Sequence, residues 1–155
     1  MKHEIVQLDE KNANDFWRLR KELFLELREI SREMDISELK SATEQYYLSH
    51  INKDLLCWGR YGQGKIIAIG SLCLFSRIPY PENLSGSEGY ILNIYTSNGF
   101  RRCGFAAQIL DAIMEYSKQH GIKRLWLSSS EQAKHLYMKK GFIQKNNEME
   151  LFLSR

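Results

Sequence analysis

The sequence predicts an α/β fold, in which a mixed β-sheet carries helices on both faces in the order β-α-α-β-β-β-α-β-α-β. Short apolar segments bounded by turn residues are typical of strands, and other segments repeat apolar residues at the spacing of a helix. No repeat, low-complexity tract or linker divides the 155 residues. A chain of this length can bury one core, so we expect residues 1–155 to form a single domain.

The N-terminal half is predicted to contain one strand, two helices and a hairpin. Residues 3–9 (HEIVQLD) predict the first strand, and Asn12 or Asn14 can cap the helix that follows. The apolar face of that helix carries Phe16, Leu19, Leu23, Phe24 and Leu27. A second helical segment covers roughly 37–51. Residues 54–76 predict a hairpin around a GQGK turn.

The C-terminal half alternates strands and helices. Residues 89–96 (GYILNIYT) predict a buried strand, and 123–130 (KRLWLSSS) predict a further one. Helices are predicted over 104–120 and 131–140, and a glycine that suits a helix C-terminus follows each of them. We expect residues 142–153 (FIQKNNEMELFL) to form a final strand or hairpin.

Composition and charge exclude several classes of protein. The net charge of +3 is too small to predict a nucleic-acid-binding face. The sequence shows neither a signal peptide nor an apolar run that could cross a membrane. Three cysteines without CxxC spacing, Cys57, Cys73 and Cys103, favour a reducing cytoplasm over a disulfide framework. The four histidines are scattered, so no metal site is predicted.

The segment NGFRRCGFAAQIL, residues 98–110, joins a predicted strand to a predicted helix. A helix N-terminus has unpaired N–H groups and a partial positive charge, which suit a phosphate. Gly104 and Ala106 would let a ligand approach the backbone, while Arg101 and Arg102 would add charge-assisted contacts. The spacing matches neither a dinucleotide fingerprint nor a P-loop. The alternative is that the small residues only allow close helix packing and the arginines are solvated.

Two motifs in this sequence resemble a known family. RRCGFA, residues 101–106, resembles motif A of the GCN5-related N-acetyltransferases, [Q/R]-x-x-G-x-[G/A]. SSEQAKHLYMKKGF, residues 129–142, resembles the downstream segment N-x-x-A-x-x-L-Y-x-x-x-G-F of the same family. The resemblance implies a GNAT-like, largely antiparallel mixed sheet. It also implies acetyl-CoA as co-substrate and a primary amine as acceptor.

The resemblance assigns cofactor contacts residue by residue. Ile94 would polarise the acetyl carbonyl through its N–H group, and the backbone around it would pair with the pantetheine arm. Ser130 replaces the asparagine of the family motif, but it can still cap a helix and offer a hydroxyl group. The predicted acetyl-CoA contacts are Ile94, Tyr95, Thr96, Arg101, Arg102, Cys103, Gly104, Phe105, Ala106, Ala107 and Ser130.

Two residues are predicted to act in catalysis. Tyr137 matches the tyrosine that protonates the departing thiolate of CoA, although it could equally be a core residue of a helical stripe. Glu88 is a candidate for the general base that deprotonates the amine, and it could equally be a solvated charge at a loop end. Four further carboxylates in or after the first helix could line the acceptor pocket, namely Glu22, Glu26, Glu29 and Asp35.

The leading hypothesis is therefore an N-acetyltransferase that moves acetyl from acetyl-CoA directly to an amine of a small molecule or peptide. The alternative is a non-catalytic module that binds CoA as a sensor or regulator. Tyr137 favours the enzyme, because a binding module needs no acid for the thiolate. We expect no nucleic-acid or membrane partner, and the sequence is compatible with a homodimer.

Overall fold

The structure, a computed structural model, describes residues 4–154. Its strands are β1 (Ile5–Gln7), β2 (Leu55–Gly62), β3 (Lys65–Ser76), β4 (Ser87–Thr96) and β5 (Arg124–Leu127). Its α-helices are α1 (Ala13–Glu26), α2 (Ser37–His50), α3 (Phe105–Gln119) and α4 (Lys134–Lys139). None of these helices is long and apolar enough to cross a membrane.

The five strands form one mixed sheet in the spatial order β1-β2-β3-β4-β5. Neighbouring strands are antiparallel from β1 to β4, and β5 lies parallel to β4. A parallel neighbour requires a crossover connection, which α3 provides. The predicted α/β class with a largely antiparallel mixed sheet is confirmed.

Helices cover both faces of the sheet, as predicted. The face under α1 and α2 buries a core that includes Leu8, Phe16, Leu19, Tyr47, Ile51, Leu55, Cys57, Ile66, Ile69 and Tyr95. The face under α3 and α4 buries a second core with Leu56, Trp58, Ala68, Leu72, Ile91, Ile109, Leu110, Ile113 and Tyr137. Burial of these two apolar layers is the main favourable term that holds the helices on the sheet.

Local sequence explains the elements that were predicted correctly. Gln63 and Gly64 connect β2 to β3 with φ angles of 54° and 76°, so the hairpin turn uses the left-handed conformations that its strands require. Gly121 and Gly141 follow α3 and α4 with φ angles of 70° and 99°. Each of these glycines therefore ends its helix in the predicted way.

The start of α1 differs from the expectation. The Asp9 carboxylate accepts a hydrogen bond from the Lys11 N–H group at 2.9 Å, and the Asn12 side chain accepts one from the Asp9 N–H group at 3.1 Å. These reciprocal bonds cap a short 3-10 turn over Glu10–Asn12. The chain thus enters α1 through that turn, and neither Asn12 nor Asn14 caps the helix with its side chain.

The final strand predicted over residues 142–153 is wrong for this structure, because none of these residues belongs to a strand or hairpin. Ile143, Met149, Leu151 and Leu153 are each more than 80% exposed. An apolar–polar alternation specifies a strand only where a partner edge pairs with it. In the described part of the chain, β5 pairs with β4 alone and this segment lies unpaired.

The pairing of β4 and β5 positions the candidate site. The two strands pair from Glu88 opposite Arg124 to Ile91 opposite Leu127, where β5 ends. β4 continues for five more residues, to Thr96, beside β3 only. The end of β4 therefore has one open side, directly before the loop that leads to α3.

Candidate active site

The loop between β4 and α3 presents a helix N-terminus. The first helical backbone bond that closes there runs from the Gln108 N–H group to the Gly104 carbonyl at 3.0 Å. The preceding N–H groups, of Phe105, Ala106 and Ala107, donate to no acceptor in residues 4–154. Three free N–H groups at the positive end of a 15-residue helix are an arrangement that suits an anion.

Two residues of the loop between β4 and α3 have the left-handed backbone conformation. Arg102 has a φ angle of 62° and Gly104 one of 79°. Arg102 is thus a residue other than glycine in a conformation that favours glycine. At Gly104, a Cβ atom would meet no other atom within 4 Å. The space in front of Gly104 is thus open to a ligand.

The two cationic side chains of the loop differ in their surroundings. The Arg101 guanidinium donates from Nε to the Thr96 carbonyl at 3.0 Å and pairs with the Glu26 carboxylate at 2.5 Å. It also lies 5.5 Å from the centre of the Tyr95 ring. The Glu26 carboxylate raises the pKa of Arg101 against the effect of its burial. Arg102 and Cys103 are exposed, so Arg102 alone can turn toward an anion without breaking an ion pair.

The strand residues predicted to contact the cofactor lie on the open stretch of β4. Tyr95 and Thr96 pair with Ile69 and Ala68 of β3. The Tyr95 side chain is buried in the core under α1 and α2, whereas Ile94 packs against the core under α3. Their side chains therefore anchor the strand in both cores, and their outer backbone edge has no β5 partner.

Asn93, next to the strand residues predicted to contact the cofactor, is a candidate that the sequence reasoning missed. It lies where the register between β3 and β4 shifts, and its φ angle is 59°. Its side chain is 5% exposed, yet neither the amide nitrogen nor the amide oxygen has a hydrogen-bond partner in the described structure. A buried amide without partners is costly. The available signal was an asparagine inside an otherwise apolar strand.

Tyr137 lies on α4, within the core that also contains Ile94 and Phe105. The residue is 8% exposed, and its ring packs edge-on against Phe142 at 5.9 Å. Burial raises the pKa of the Tyr137 hydroxyl to about 12. No group in residues 4–154 hydrogen-bonds to this hydroxyl. It is therefore a protonated donor whose hydrogen bond is unused.

Tyr137 also lines a surface cavity that has a volume of about 810 Å³ and extends along β5. Ser128 and Ser129 line the same cavity, and Ser130 follows them. The Ser130 hydroxyl accepts a hydrogen bond from the Ala133 N–H group at 3.3 Å in the turn before α4. It does not cap α4 as predicted, because that helix begins later, with Ala133 as its N-cap residue. The loop between β4 and α3 (residues 97–104), which we call the phosphate loop after its predicted ligand, lies outside this cavity.

Glu88 is buried, so its interpretation as a solvated charge at a loop end is wrong. Its carboxylate has no exposed surface, and it accepts hydrogen bonds from the Tyr80 hydroxyl and, at 2.9 Å, from the Arg124 guanidinium. Arg77 lies 3.8 Å away. Burial raises the pKa of Glu88, but the two hydrogen bonds and the arginine charges outweigh it and hold the pKa below 4.5. A lowered pKa makes this carboxylate a poor proton acceptor.

The four carboxylates predicted to line an acceptor pocket do not form one group. Glu22 accepts a hydrogen bond from the Ser97 hydroxyl at 3.0 Å, and Glu26 pairs with Arg101, so both hold α1 to the phosphate loop. Glu29 and Asp35 are exposed beyond α1. The Ser37 N–H and hydroxyl groups bond to Asp35 and lower the pKa of its carboxyl.

Known structures share this architecture. A predicted acetyltransferase from Clostridium acetobutylicum, crystallised with acetyl-CoA, superimposes with a TM-score of 0.84 at 26% identity, over 98% of this chain and 97% of that one. A GCN5-related N-acetyltransferase from Ralstonia eutropha gives 0.84 at 20% identity, over 98% and 99%. Glucosamine-6-phosphate N-acetyltransferase from Arabidopsis thaliana gives 0.74 at 19% identity, over 99% and 100%.

No curated protein matches the chain in sequence. The sequence profile of the acetyltransferase (GNAT) family does match, over residues 14–142. That range contains the open end of β4, the loop with Gly104, all of α3 and Tyr137. The resemblance drawn from the two motifs is thus confirmed, and the chain belongs to the GNAT family of acetyltransferases.

Proposed function

We propose that this protein is an N-acetyltransferase that transfers the acetyl group of acetyl-CoA directly to an amine of a small molecule or peptide. The observation that carries the proposal is the set of three unpaired N–H groups at the start of α3, in front of the open space at Gly104. The pyrophosphate of CoA fits such a site by charge and by hydrogen bonding. Membership in the acetyltransferase family supports the same assignment.

The open edge of β4 supports the reaction geometry. Pantetheine is an extended chain with amide groups, so it can lie along Ile94, Tyr95 and Thr96 in the manner of an added strand. The Ile94 N–H group would then stabilise the negative charge that develops on the acetyl oxygen. Ser130, Arg102, Cys103 and the first residues of α3 would complete the cofactor contacts.

Tyr137 would supply the proton that the departing thiolate takes up. In this step the amine nitrogen forms a bond to the acetyl carbon, the carbon–sulfur bond breaks and the sulfur is protonated. A hydroxyl with a pKa of about 12 stays protonated at neutral pH, and this one has a free hydrogen bond to give. The proton of the attacking amine would leave to water or a carboxylate. Glu88 is the predicted carboxylate, although its lowered pKa argues against it.

The experiment is a thiol-release assay with acetyl-CoA and a panel of amines, with the product identified by mass spectrometry. We expect thiol release that depends on both substrates and one acetyl group on the amine. Acetyl-CoA binding without transfer to any amine would instead favour a CoA-binding module.

A further inference from the structure

A second cavity lies on the opposite face of the sheet from α3, between α1, α2 and the strands. Its volume is about 210 Å³, and its walls include Phe16, Arg20, Tyr46, Cys73 and Leu92. Most of this wall is aromatic or aliphatic. The cavity is smaller than a site for a whole drug-sized molecule, which begins at about 300 Å³. It can therefore hold one end of a ligand.

Arg20 places a positive charge in this apolar wall. Its side chain is partly buried, and the guanidinium carbon lies 4.6 Å from the centre of the Phe24 ring. Within residues 4–154, no carboxylate oxygen lies within 4.0 Å of its guanidinium nitrogens and no hydrogen-bond acceptor is in reach. By contrast, the partly buried Arg18 pairs with Asp15 at 3.2 Å, and Arg124 pairs with Glu88 at 2.9 Å.

The charge of Arg20 is poorly compensated. Burial lowers the pKa of the Arg20 guanidinium, and the nearby Cys73 and Glu29 oppose that effect only in part. A guanidinium stays protonated in proteins, and the nitrogens of Arg20 are not among the fully buried atoms, so its five N–H donors are accessible to a ligand that enters the cavity. A planar anion such as a carboxylate, or a phosphate, would supply acceptors in the geometry that arginine prefers.

The cavity is close to the open end of β4. Leu92 forms part of its wall and lies two residues before Ile94 in the chain. The anion site for CoA lies elsewhere, at the start of α3. A ligand that reaches Arg20 from the end of β4 would thus be the acceptor rather than the cofactor.

We propose that Arg20 binds an anionic group, a carboxylate or a phosphate, on the acceptor amine. The enzyme would then acetylate small amines that carry a negative charge near the amino group, in preference to neutral amines or polyamines. This inference depends on the proposed function for the transfer step, but anion binding at Arg20 can be measured without it.

The first test compares matched acceptors in the thiol-release assay. Glycine, alanine and leucine are paired with their C-terminal amides, and phosphoethanolamine is paired with ethanolamine. We expect at least one anionic acceptor to exceed its neutral partner tenfold or more in kcat/KM. The amino acids and their amides test a carboxylate, whereas phosphoethanolamine and ethanolamine test a phosphate. Equal or better turnover of the neutral partners, or of spermidine, would overturn the inference.

Two variants test whether the Arg20 side chain causes the preference for anionic acceptors. Arg20→Met should remove the preference for the anionic partner at least tenfold while the KM for acetyl-CoA stays within twofold, and Arg20→Lys should retain part of it. Arg32→Met is the matched control, because Arg32 is an exposed arginine between α1 and α2. This variant should leave the acceptor preference and the KM for acetyl-CoA unchanged. A preference that survives in Arg20→Met would contradict the proposal.

A binding measurement covers the case in which no amine is turned over. The Arg20 Nε–H signal in nitrogen–proton NMR spectra is followed during titration with glycine or phosphoethanolamine, with and without CoA. A shift that the amides and ethanolamine do not cause supports the anion site, even when transfer fails. The absence of any shift, with CoA bound and the protein folded, would overturn it. A failure of CoA itself to bind would contradict the proposed function instead.

Discussion

The buried Glu88 carboxylate and the partly exposed Arg124 guanidinium form an ion pair between two parallel strands, with 2.9 Å between Oε1 and Nη1. The two residues face each other in register, at the start of the pairing between β4 and β5. The Tyr80 hydroxyl bonds to the second oxygen of the same carboxylate, so the loop before β4 joins the pair. The pair thus fixes the end of the sheet from which β4 and β5 run toward the site.

We predict that Glu88→Gln destabilises the fold and leaves turnover nearly unchanged. The free energy of unfolding should fall by about 1–3 kcal/mol, because the buried amide would lose the charge-assisted bond to Arg124 and could not accept bonds from both Arg124 and Tyr80. Chemical denaturation at pH 7 and the thiol-release assay measure the two effects. Glu82→Gln, at an exposed loop position, is the control. A large loss of kcat with unchanged stability would make Glu88 the general base.

Because of Glu88, the stability of the fold should decrease in acid. The pKa of Glu88 in the folded protein lies below its ordinary value of 4.5, so the unfolded chain takes up the proton first. The stability from this group is fully present above pH 4.5 and is lost as the pH falls through the folded pKa. Between pH 6 and pH 3, the free energy of unfolding should thus fall more steeply with decreasing pH for the wild type than for Glu88→Gln. Parallel curves would contradict this prediction.

Tyr137→Phe should lower kcat about 100-fold, the lower end of what general acid catalysis contributes. The affinity for acetyl-CoA should stay within twofold, because the ring packing against Phe142 is retained. Tyr116→Phe is the matched control on α3. Because the pKa of Tyr137 is about 12, kcat should not fall through ionisation of this group below pH 10. An unchanged kcat in Tyr137→Phe would remove Tyr137 from the mechanism.

Gly104→Ala should weaken acetyl-CoA binding at least tenfold, because its Cβ would project into the open space in front of the helix. The left-handed backbone adds about 1 kcal/mol of destabilisation. Gly64→Ala is a close control, because Gly64 has a similar φ angle of 76° and equally open surroundings in the hairpin turn. Calorimetric titration of both variants with acetyl-CoA separates a loss of ligand access at Gly104 from the effect of backbone strain alone. Equal affinities in the two variants would contradict a phosphate site at Gly104.

Glu26→Gln should tighten acetyl-CoA binding by about two- to fivefold at low salt. The substitution removes the ion pair with Arg101 and frees a guanidinium beside the phosphate loop. A pair this exposed is worth about 1 kcal/mol or less, which limits the gain. Glu33→Gln, between α1 and α2, is the control. Weaker binding in Glu26→Gln would show that the ion pair holds the loop in its binding conformation.

Asn93→Gly should keep the fold and reduce kcat/KM for acetyl transfer about tenfold. Glycine accepts the φ angle of 59° at this bulge, so only the unpartnered amide is removed. Asn93→Val should destabilise the protein by about 1–2 kcal/mol, because a branched side chain strains a left-handed backbone. Thermal unfolding and the transfer assay separate the two roles. Unchanged kinetics in Asn93→Gly would mean that the amide contacts no ligand.

Much of the fold follows from local sequence. The β2–β3 hairpin was predictable because its turn residues specify the connection, and α3 was predictable from its apolar spacing and the glycine after it. The final strand predicted over residues 142–153 was not, because a strand needs a partner and this segment has none in the described structure. Pairing depends on the rest of the sheet, which a local pattern does not contain.

The site was predictable where backbone conformation determines residue type. Gly104 was predicted to let a ligand approach the backbone at a helix start, and the structure leaves the space there open. The two motifs identified the family. The surroundings of Glu88 were not predictable, since its partner Arg124 is 36 residues distant in sequence and comes together with it only through the parallel register. The lack of a carboxylate partner for Arg20 was also not predictable, because only the folded structure shows which carboxylates lie near its guanidinium.

The most direct test of the central claim is a calorimetric titration of the wild-type protein and Gly104→Glu with acetyl-CoA, with ATP and NAD as controls. A glutamate at this position places a negative charge in front of the three free N–H groups of α3. We predict selective binding of acetyl-CoA by the wild type and its loss in the folded variant. Equal binding by both proteins, or none by a folded wild type, would contradict a CoA site at the start of α3.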